Sequence, residues 1–523
     1  MKSTRLLKLI FTALVISLIY FYFSLPAINL QSFNFLFYFI LVISIIIILN
    51  IALKNKNNLQ LTGKELFKYF SWLIVVVIVL FSGTVVFSST FNSKLYANRI
   101  TVVESNFSED IDEVDLTNLP LLDKDSTRKV GDRVMGQIPE LISQFYVSDL
   151  YTQVNFDGRL VRVTPLEYEG IIKWFGNSET GTPGYIKVDS TTGEASLIQL
   201  DEGMKYMPSA HFFYNLYRHI RIQYPTAIFG DSKFEIDDDG NPYWVTPVKK
   251  YTWVGLLEDS KGVVITDPVT GDSNYYDVED VPTWVDHVYQ ASLVMSQTND
   301  WGLYQDGWLN SFIAQKNVKK TTTGYTYLAD DNDIYVYTGI TSALADESNI
   351  GFVLVNLRTK ETKYYGVPGA EEYSAMASAE GAIQEKSYNS TFPLLINLNG
   401  SPTYLVSLKD DAGLVKAYAF VDVEDYQKVK VTSSDEGLSA AATAYLKILG
   451  VTQENIKVGE ELTGVIESIE SVVVEGNTYF YIKLVDDDSI YKVKVTVSDN
   501  LPFIGEDDSI KFFKIDNEIT SIK

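Results

Sequence analysis

Three histidines and a few clusters of carboxylates are the side chains in this sequence with the most chemistry to offer. His211 and His219 lie eight residues apart, and His287 directly follows Asp286. On one helix an eight-residue step is about 80° around the axis. Helical metal pairs use i, i+4 spacing, as in H-E-x-x-H, and Arg218 and Arg221 surround His219 with positive charge. The pattern predicts no metal, and no cofactor is called for elsewhere. Asp286-His287 has the composition of a catalytic dyad, but neighbours on a helix point different ways and cannot make the hydrogen bond of a triad. The expectation there is a helix face with one packed and one exposed side chain.

Asp237, Asp238 and Asp239, and again Asp330, Asp331 and Asp333, could provide the acid and base of glycoside hydrolysis. That chemistry needs two carboxyl groups at a set separation, which is a tertiary property. Both clusters fall at expected hairpin turns, where Asp is favoured for its turn chemistry alone. The chain has no G-x-S-x-G elbow, Walker loop or G-x-G-x-x-G fingerprint. It has no cysteine, which removes disulfides, thiol nucleophiles and thiolate zinc sites. Aromatics crowd the middle of the chain: Trp174, Tyr243, Trp244, Trp253, Trp284, Trp301, Tyr304 and Trp308. Such rings fill sheet cores, but they also stack on sugars and anchor interfaces. Trp301, Tyr304 and Trp308 are the candidates for a partner or glycan surface.

The elements that must position these residues fall into two unlike parts. Apolar runs at 6–24, 33–53 and 69–87 are each near the ~20 residues that cross a bilayer, and they define a membrane domain over 1–92. Lys2 and Arg5 precede the first run and Lys8 stands at its start, and Lys54, Lys56, Lys64 and Lys68 lie between the second and third. The positive-inside rule then places the N-terminus in the cytoplasm and everything beyond the third run outside. Apart from Lys8 at the start of the first run, no run holds a charged residue, which argues against an ion path. Of the net −24, the first 92 residues carry +6, leaving about −30 on the remainder. So acidic a surface repels nucleic acid and anionic lipid alike. A large outward region without disulfides suits the envelope of a Gram-positive bacterium.

Beyond the membrane domain the expected order is an acidic linker at 93–129, a repeat region at 130–435, a helical connector at 436–457 and a small barrel at 458–523. The repeats are marked by turns. Asp157-Gly158, Asp239-Gly240 and Asn399-Gly400 supply the positive φ of tight hairpins between alternating strands. Helices recurring at about 75–85 residues make each unit a helix on an antiparallel sheet. A second hairpin recurs as Gly184…Val188-Asp189…Thr192-Gly193-Glu194 and as Gly262…Asp267…Thr270-Gly271-Asp272.

This G-x-x-x-V-D-x-x-T-G-E run resembles the PepSY module of bacterial envelope proteins. In the third copy Asn356 replaces the Asp and Lys360 the turn glycine, and the fourth copy lacks the turn. The resemblance covers residues 130–430 at most and implies binding or restraint of a partner, not catalysis. The five short strands after residue 458 look similar in order to an OB-fold, with acidic turns in place of the basic, aromatic groove that nucleic acid needs. The fold class expected is a membrane-anchored α+β chain: three N-terminal transmembrane helices, repeated helix-plus-antiparallel-sheet modules and a C-terminal OB-like β-barrel. The function expected is that of a non-enzymatic, multi-pass protein of the cell membrane. Its partners would be the lipid bilayer and an envelope or membrane protein that it binds, scaffolds or regulates. A cell-wall glycan-binding protein and a carboxylate-based envelope hydrolase are the alternatives.

Overall fold

The recurring Asp at the end of the hairpin strand caps a turn. Asp189 Oδ1 accepts the backbone N–H groups of Thr191 and Thr192 at 2.8 and 2.9 Å, and the Gly193 N–H closes onto the Asp189 carbonyl at 3.0 Å. An Asx turn of this kind reverses the chain with local bonds only. Gly193 takes the left-handed φ of +75° that the reversal needs. Asp267 repeats the arrangement with Val269 at 2.7 Å and Gly271 at 2.9 Å. Asn356 does the same task through its amide oxygen, accepting from Arg358 at 2.8 Å and Thr359 at 2.9 Å. Its remaining NH₂ group becomes a free donor, with consequences at the site below.

The glycine five residues earlier is fixed by a close approach. A Cβ on Gly184 would lie 1.9 Å from the Ile198 carbonyl oxygen; on Gly262 it would lie 2.0 Å from that of Tyr276, and on Gly351 2.3 Å from that of Tyr365. The neighbouring strand leaves no room for a side chain. Gly184→Ala should therefore cost about 1–3 kcal/mol of stability. Gly176→Ala, where an added Cβ meets nothing within 4 Å, should cost nothing. Urea midpoints of the two variants would separate a packing requirement from a general intolerance of alanine.

The computed structural model describes residues 2–54, 63–116, 119–330, 333–342, 348–452, 456, 458–474 and 476–523. Among them, four sheets share one strand order. In the first, Phe145–Val147 and Thr152–Phe156 both pair with the long strand Arg159–Tyr168, which pairs with Thr182–Asp189, and that with Ala195–Met204. The second repeats this with Ile228–Phe229 and Lys233–Ile236 on Pro242–Lys250, then Asp259–Thr266 and Ser273–Asp277. The third uses Lys319–Thr321 and Thr326–Asp330 on Asp333–Ser342, then Ser348–Asn356 and Thr362–Tyr365. Val102–Ser105 joins its edge in parallel. The fourth runs from Asn389–Ser390 and Leu394–Leu398 through Ser401–Lys409 and Val415–Asp422 to Val429–Ser433. A closed five-stranded barrel follows, with Glu460–Val474 paired to both Asn477–Leu484 and Ser509–Ile515.

Successive sheets share their cores. Tyr185 and Ile186 of the first pack in one cluster with Phe234 and Trp244 of the second. Val245 and Val263 join Ile334 and Val336 of the third, and Tyr337 and Phe352 join Tyr404 and Val406 of the fourth. Each sheet is thus apolar on both faces, which is why its strands read as long buried runs rather than as a strict alternation.

Helices α1 (Lys2–Ser24), α2 (Phe33–Lys54) and α3 (Gly63–Val86) open the chain, and α4 (Ser89–Ala97) follows. Their turns dock on the helix Leu216–Gln223 and on a loop of the second sheet: Arg221 Nε donates to the Leu25 carbonyl at 3.0 Å, and Phe87 stacks on Trp253 at 5.5 Å. The expectation of three membrane spans is corrected here. No single helix among the described residues is long and apolar enough to cross a membrane. Within the described residues the apolar parts of the first two helices run over Ile10–Ser24 and Phe33–Ile47. Only a pair bent by 51°, Ser71–Val86 with Ser89–Ala97, meets the requirement jointly. Multi-pass placement with a cytoplasmic N-terminus is withdrawn with the spans. Of the lysine loop that set the orientation, residues 55–62 lie outside the described residues.

Candidate active site

Glu235 sits between Phe234 and Ile236 on a strand buried on both faces, and it is itself fully buried. A buried carboxylate needs donors. It finds them on the segment ahead of helix Ala291–Tyr304: the Asp286 backbone N–H donates to Oε2 at 2.9 Å, and His287 Nδ1 lies 3.2 Å from Oε1. The side chain of Asp286 points the other way, into the first sheet, where Oδ2 accepts the Asn155 N–H at 2.8 Å. Both Asp286 and His287 are buried. They do not sit on a helix, because Pro282 starts a turn and the Tyr289 N–H is taken by the Leu357 carbonyl at 2.8 Å. The expectation of one packed and one exposed side chain on a helix is corrected accordingly.

The third carboxylate comes from the third sheet. Asp333 opens its strand and is gripped by Arg358, whose Nε donates to Oδ1 at 2.5 Å and Nη2 to Oδ2 at 2.7 Å. The NH₂ of Asn356 adds a 2.7 Å bond to Oδ2. A fork of this shape recognises the ionised carboxylate. Asp286 is in the opposite condition. Burial, then the nearby charge of Glu235, holds its carboxyl well above the ordinary carboxylate range. The Asn155 N–H pulls the other way, Asp333 adds to the rise and Arg358 reduces it. Three sheets thus bring together one carboxyl group buried beside another acid and one bound by a guanidinium fork.

Tyr327 stands between this cluster and a cavity. Its ring lies 6.1 Å from that of His287, and burial pushes its hydroxyl well up from the usual tyrosine range. The cavity, of about 220 Å³, is walled by Tyr325, Tyr327 and Phe392 with Gln153 and Arg162 beside them. Aromatic faces next to a few fixed polar groups are what a sugar ring requires.

The residues singled out from sequence are dispersed. Trp301 is half-buried against Tyr364 at 5.9 Å, Tyr304 against Tyr96 at 5.9 Å, and Trp308 stacks on Phe312 at 6.3 Å. The strongly exposed apolar groups of that stretch are Leu309, Phe312 and Ile313. Trp174 and Trp244 are core. Asp237 accepts the N–H groups of Asp239 and Asn241 at 3.1 and 2.8 Å as a turn residue, and Asp238 and Asp239 are exposed. Asp331 lies outside the described residues. His211 precedes the short turn Phe212–Tyr214 and touches Trp174, whereas His219 is on the helix Leu216–Gln223 and donates from Nε2 to the Gly271 carbonyl at 2.6 Å. The two histidines do not share a helix. Of the carboxylates weighed and described, Asp286 and Asp333 enter the cluster. Glu235 and Arg358 were overlooked, although a lone acid inside an apolar strand was a visible signal. Asn356 was seen only as a lapse in the motif.

No family model matches the chain, and no curated protein does. Solved structures do: Bombyx mori GH32 beta-fructofuranosidase BmSUC1, at 10% identity over 77% of this chain and 70% of that one, with a TM-score of 0.17. Another is a crystal structure assigned to a glycoside hydrolase from Bacteroides ovatus ATCC 8483, at 10% identity over 66% of this chain and 84% of that one, also with a TM-score of 0.17. At that score the likeness carries no argument about this chain's fold or chemistry. The PepSY resemblance finds no counterpart in these comparisons and is withdrawn. The non-enzymatic scaffold role that it carried goes with it, since what the sheets bring together is a cluster of buried acids.

Proposed function

We propose that this chain hydrolyses a glycosidic bond by carboxylate acid–base chemistry, with Asp286 as the acid and Asp333 as its ionised partner. One observation carries the reading: burial beside Glu235 holds the Asp286 carboxyl above the ordinary carboxylate range, while the Asp333 carboxyl group accepts the two-pronged Arg358 fork. Environments that separate two titratable groups in this way assign the acid and the base. Asp286 gives its proton to the leaving oxygen as the C–O bond breaks. A water oxygen bonds to the anomeric carbon, and its proton passes to Asp333. Arg358 and Asn356 orient the Asp333 carboxylate, and the Glu235 carboxylate fixes the Asp286–His287 segment through its backbone.

The test is turnover by the full chain on a panel of α- and β-linked aryl glycosides. Asp333→Asn is expected to lower kcat by about 10²–10⁴-fold with little change in KM. Absence of turnover across the panel, or turnover unaffected by Asp333→Asn, would overturn the assignment.

A further inference from the structure

Arg162 is a half-buried cation whose hydrogen bonds go to neutral acceptors. Its Nη1 donates to the Leu122 carbonyl at 2.6 Å and to Thr127 Oγ1 at 2.9 Å, and its Nη2 to Gln153 Oε1 at 2.8 Å. Burial lowers its affinity for the proton to about 10, against the partial support of Asp123. Asp123 is itself committed, paired with Lys409 and capping a helix through the Ser126 N–H at 3.0 Å. A cation held partly out of water, with its nearest carboxylate shared with Lys409, gains from a further anionic partner.

Gln153 shows the same want from a neutral group. Its oxygen is taken by Arg162, while its Nε2 is buried with no hydrogen-bond partner. The residue is 5% exposed. An orphaned buried donor costs about 1–3 kcal/mol, so an acceptor placed there would recover that cost. Arg162 and Gln153 both line the cavity walled by Tyr325, Tyr327 and Phe392; Lys124 lines it too, as does Asp123, whose charge is met by Lys409. A volume of about 220 Å³ is the room of about seven waters, enough for one sugar ring and too little for a chain of them.

We propose that this cavity binds a single acidic sugar unit, its carboxylate on Arg162 and the Gln153 amide and its ring against Tyr325, Tyr327 and Phe392. The assignment rests on the glycosidase reading, because Tyr327 places the cavity directly beside the acid cluster. It specifies the substrate class as a glycoside of a uronic-type sugar. The cation and the orphaned donor select the carboxylate, and the rings select the sugar. Neither alone selects both.

Calorimetric titration of the full-length chain with glucuronate, glucose and acetate tests it. Glucuronate is expected to saturate the protein at least about tenfold more tightly than either of the others. Gln153→Glu places a carboxylate of the chain's own beside Arg162, so it should raise Tm and abolish glucuronate binding. That outcome cannot arise from misfolding. Equal affinities for glucuronate and glucose, or for glucuronate and acetate, would overturn the inference, as would undiminished binding by Gln153→Glu. Titrating Asp333→Asn separates the two readings: a variant that binds glucuronate without turnover supports the inference whatever the catalytic assay gives. Turnover of neutral glycosides without glucuronate binding overturns the inference alone.

Discussion

Asp286→Asn should silence glycoside turnover and, at the same time, raise the melting temperature of the chain at about pH 8. The two effects share a cause. A carboxyl group held protonated in the fold loses its proton later than it would in the unfolded chain. Below the unfolded value of about 4 both states are protonated and the group contributes no difference. As pH rises past that value the unfolded chain ionises first and is favoured, so stability is lost until the folded group ionises as well. The native residue therefore weakens the fold at neutral and alkaline pH, by about 1.4 kcal/mol for each unit its pKa is raised. Asparagine has no proton to lose, and its side-chain oxygen can still accept the Asn155 N–H. Melting curves of the two proteins should coincide near about pH 4 and diverge with the variant higher as pH rises. Turnover should fall by about 10²–10⁴-fold. A variant destabilised at every pH would show that Asp286 is a structural acid and not a stored one. A site that is more stable without its acid fits the trade between stability and activity common at catalytic centres.

Arg358→Ala should be the more damaging change to the fold. It leaves Asp333, whose side chain is 9% exposed, with Asn356 as its remaining side-chain donor. Removing one partner of a buried pair strands the other charge and costs about 3–5 kcal/mol. Because Arg358 is about a quarter exposed, water reaches part of the gap, and the lower end of that range is expected. Adding Asp333→Asn in the same chain should recover most of the loss, since the stranded charge is then gone. Urea denaturation of the two single variants and the double variant gives the coupling directly, and a value of about 0.5–3 kcal/mol identifies interacting neighbours. Additive losses would mean that the two groups do not depend on each other.

Much of the local architecture was legible in the chain. Asp189, Asp267 and Asn356 cap their turns with bonds to residues two or three positions away, so spacing alone determines them. Gly184, Gly262 and Gly351 stand where a neighbouring strand admits no side chain, and their recurrence at one distance before the capping residue was visible as a pattern. Membership of a family was not determined, because Thr-Gly-Glu turns follow from hairpin physics in any fold. The apolar runs at the start were legible as helices, but composition did not determine a bilayer crossing: among the described residues no single helix meets the requirement of length and apolarity together.

The candidate site was decided only by the tertiary structure. Glu235 meets Asp286 across 51 positions, and Asp286 meets Asn155 across 131. No periodicity links such positions; they coincide because the first, second and third sheets share cores and press their edges together. Asp286-His287 had a suggestive composition, yet the direction of each side chain depended on an extended backbone set by Pro282 and the Leu357 contact. Asn356 is the clearest case. Its turn role is local and was written in the sequence, whereas its bond to Asp333 depends on two strands paired in a register that places Asn356 opposite Tyr335. Turn chemistry acts over a few bonds and is determined by residue order. Charge pairing acts through space, and only the packed sheets decide which charges share it.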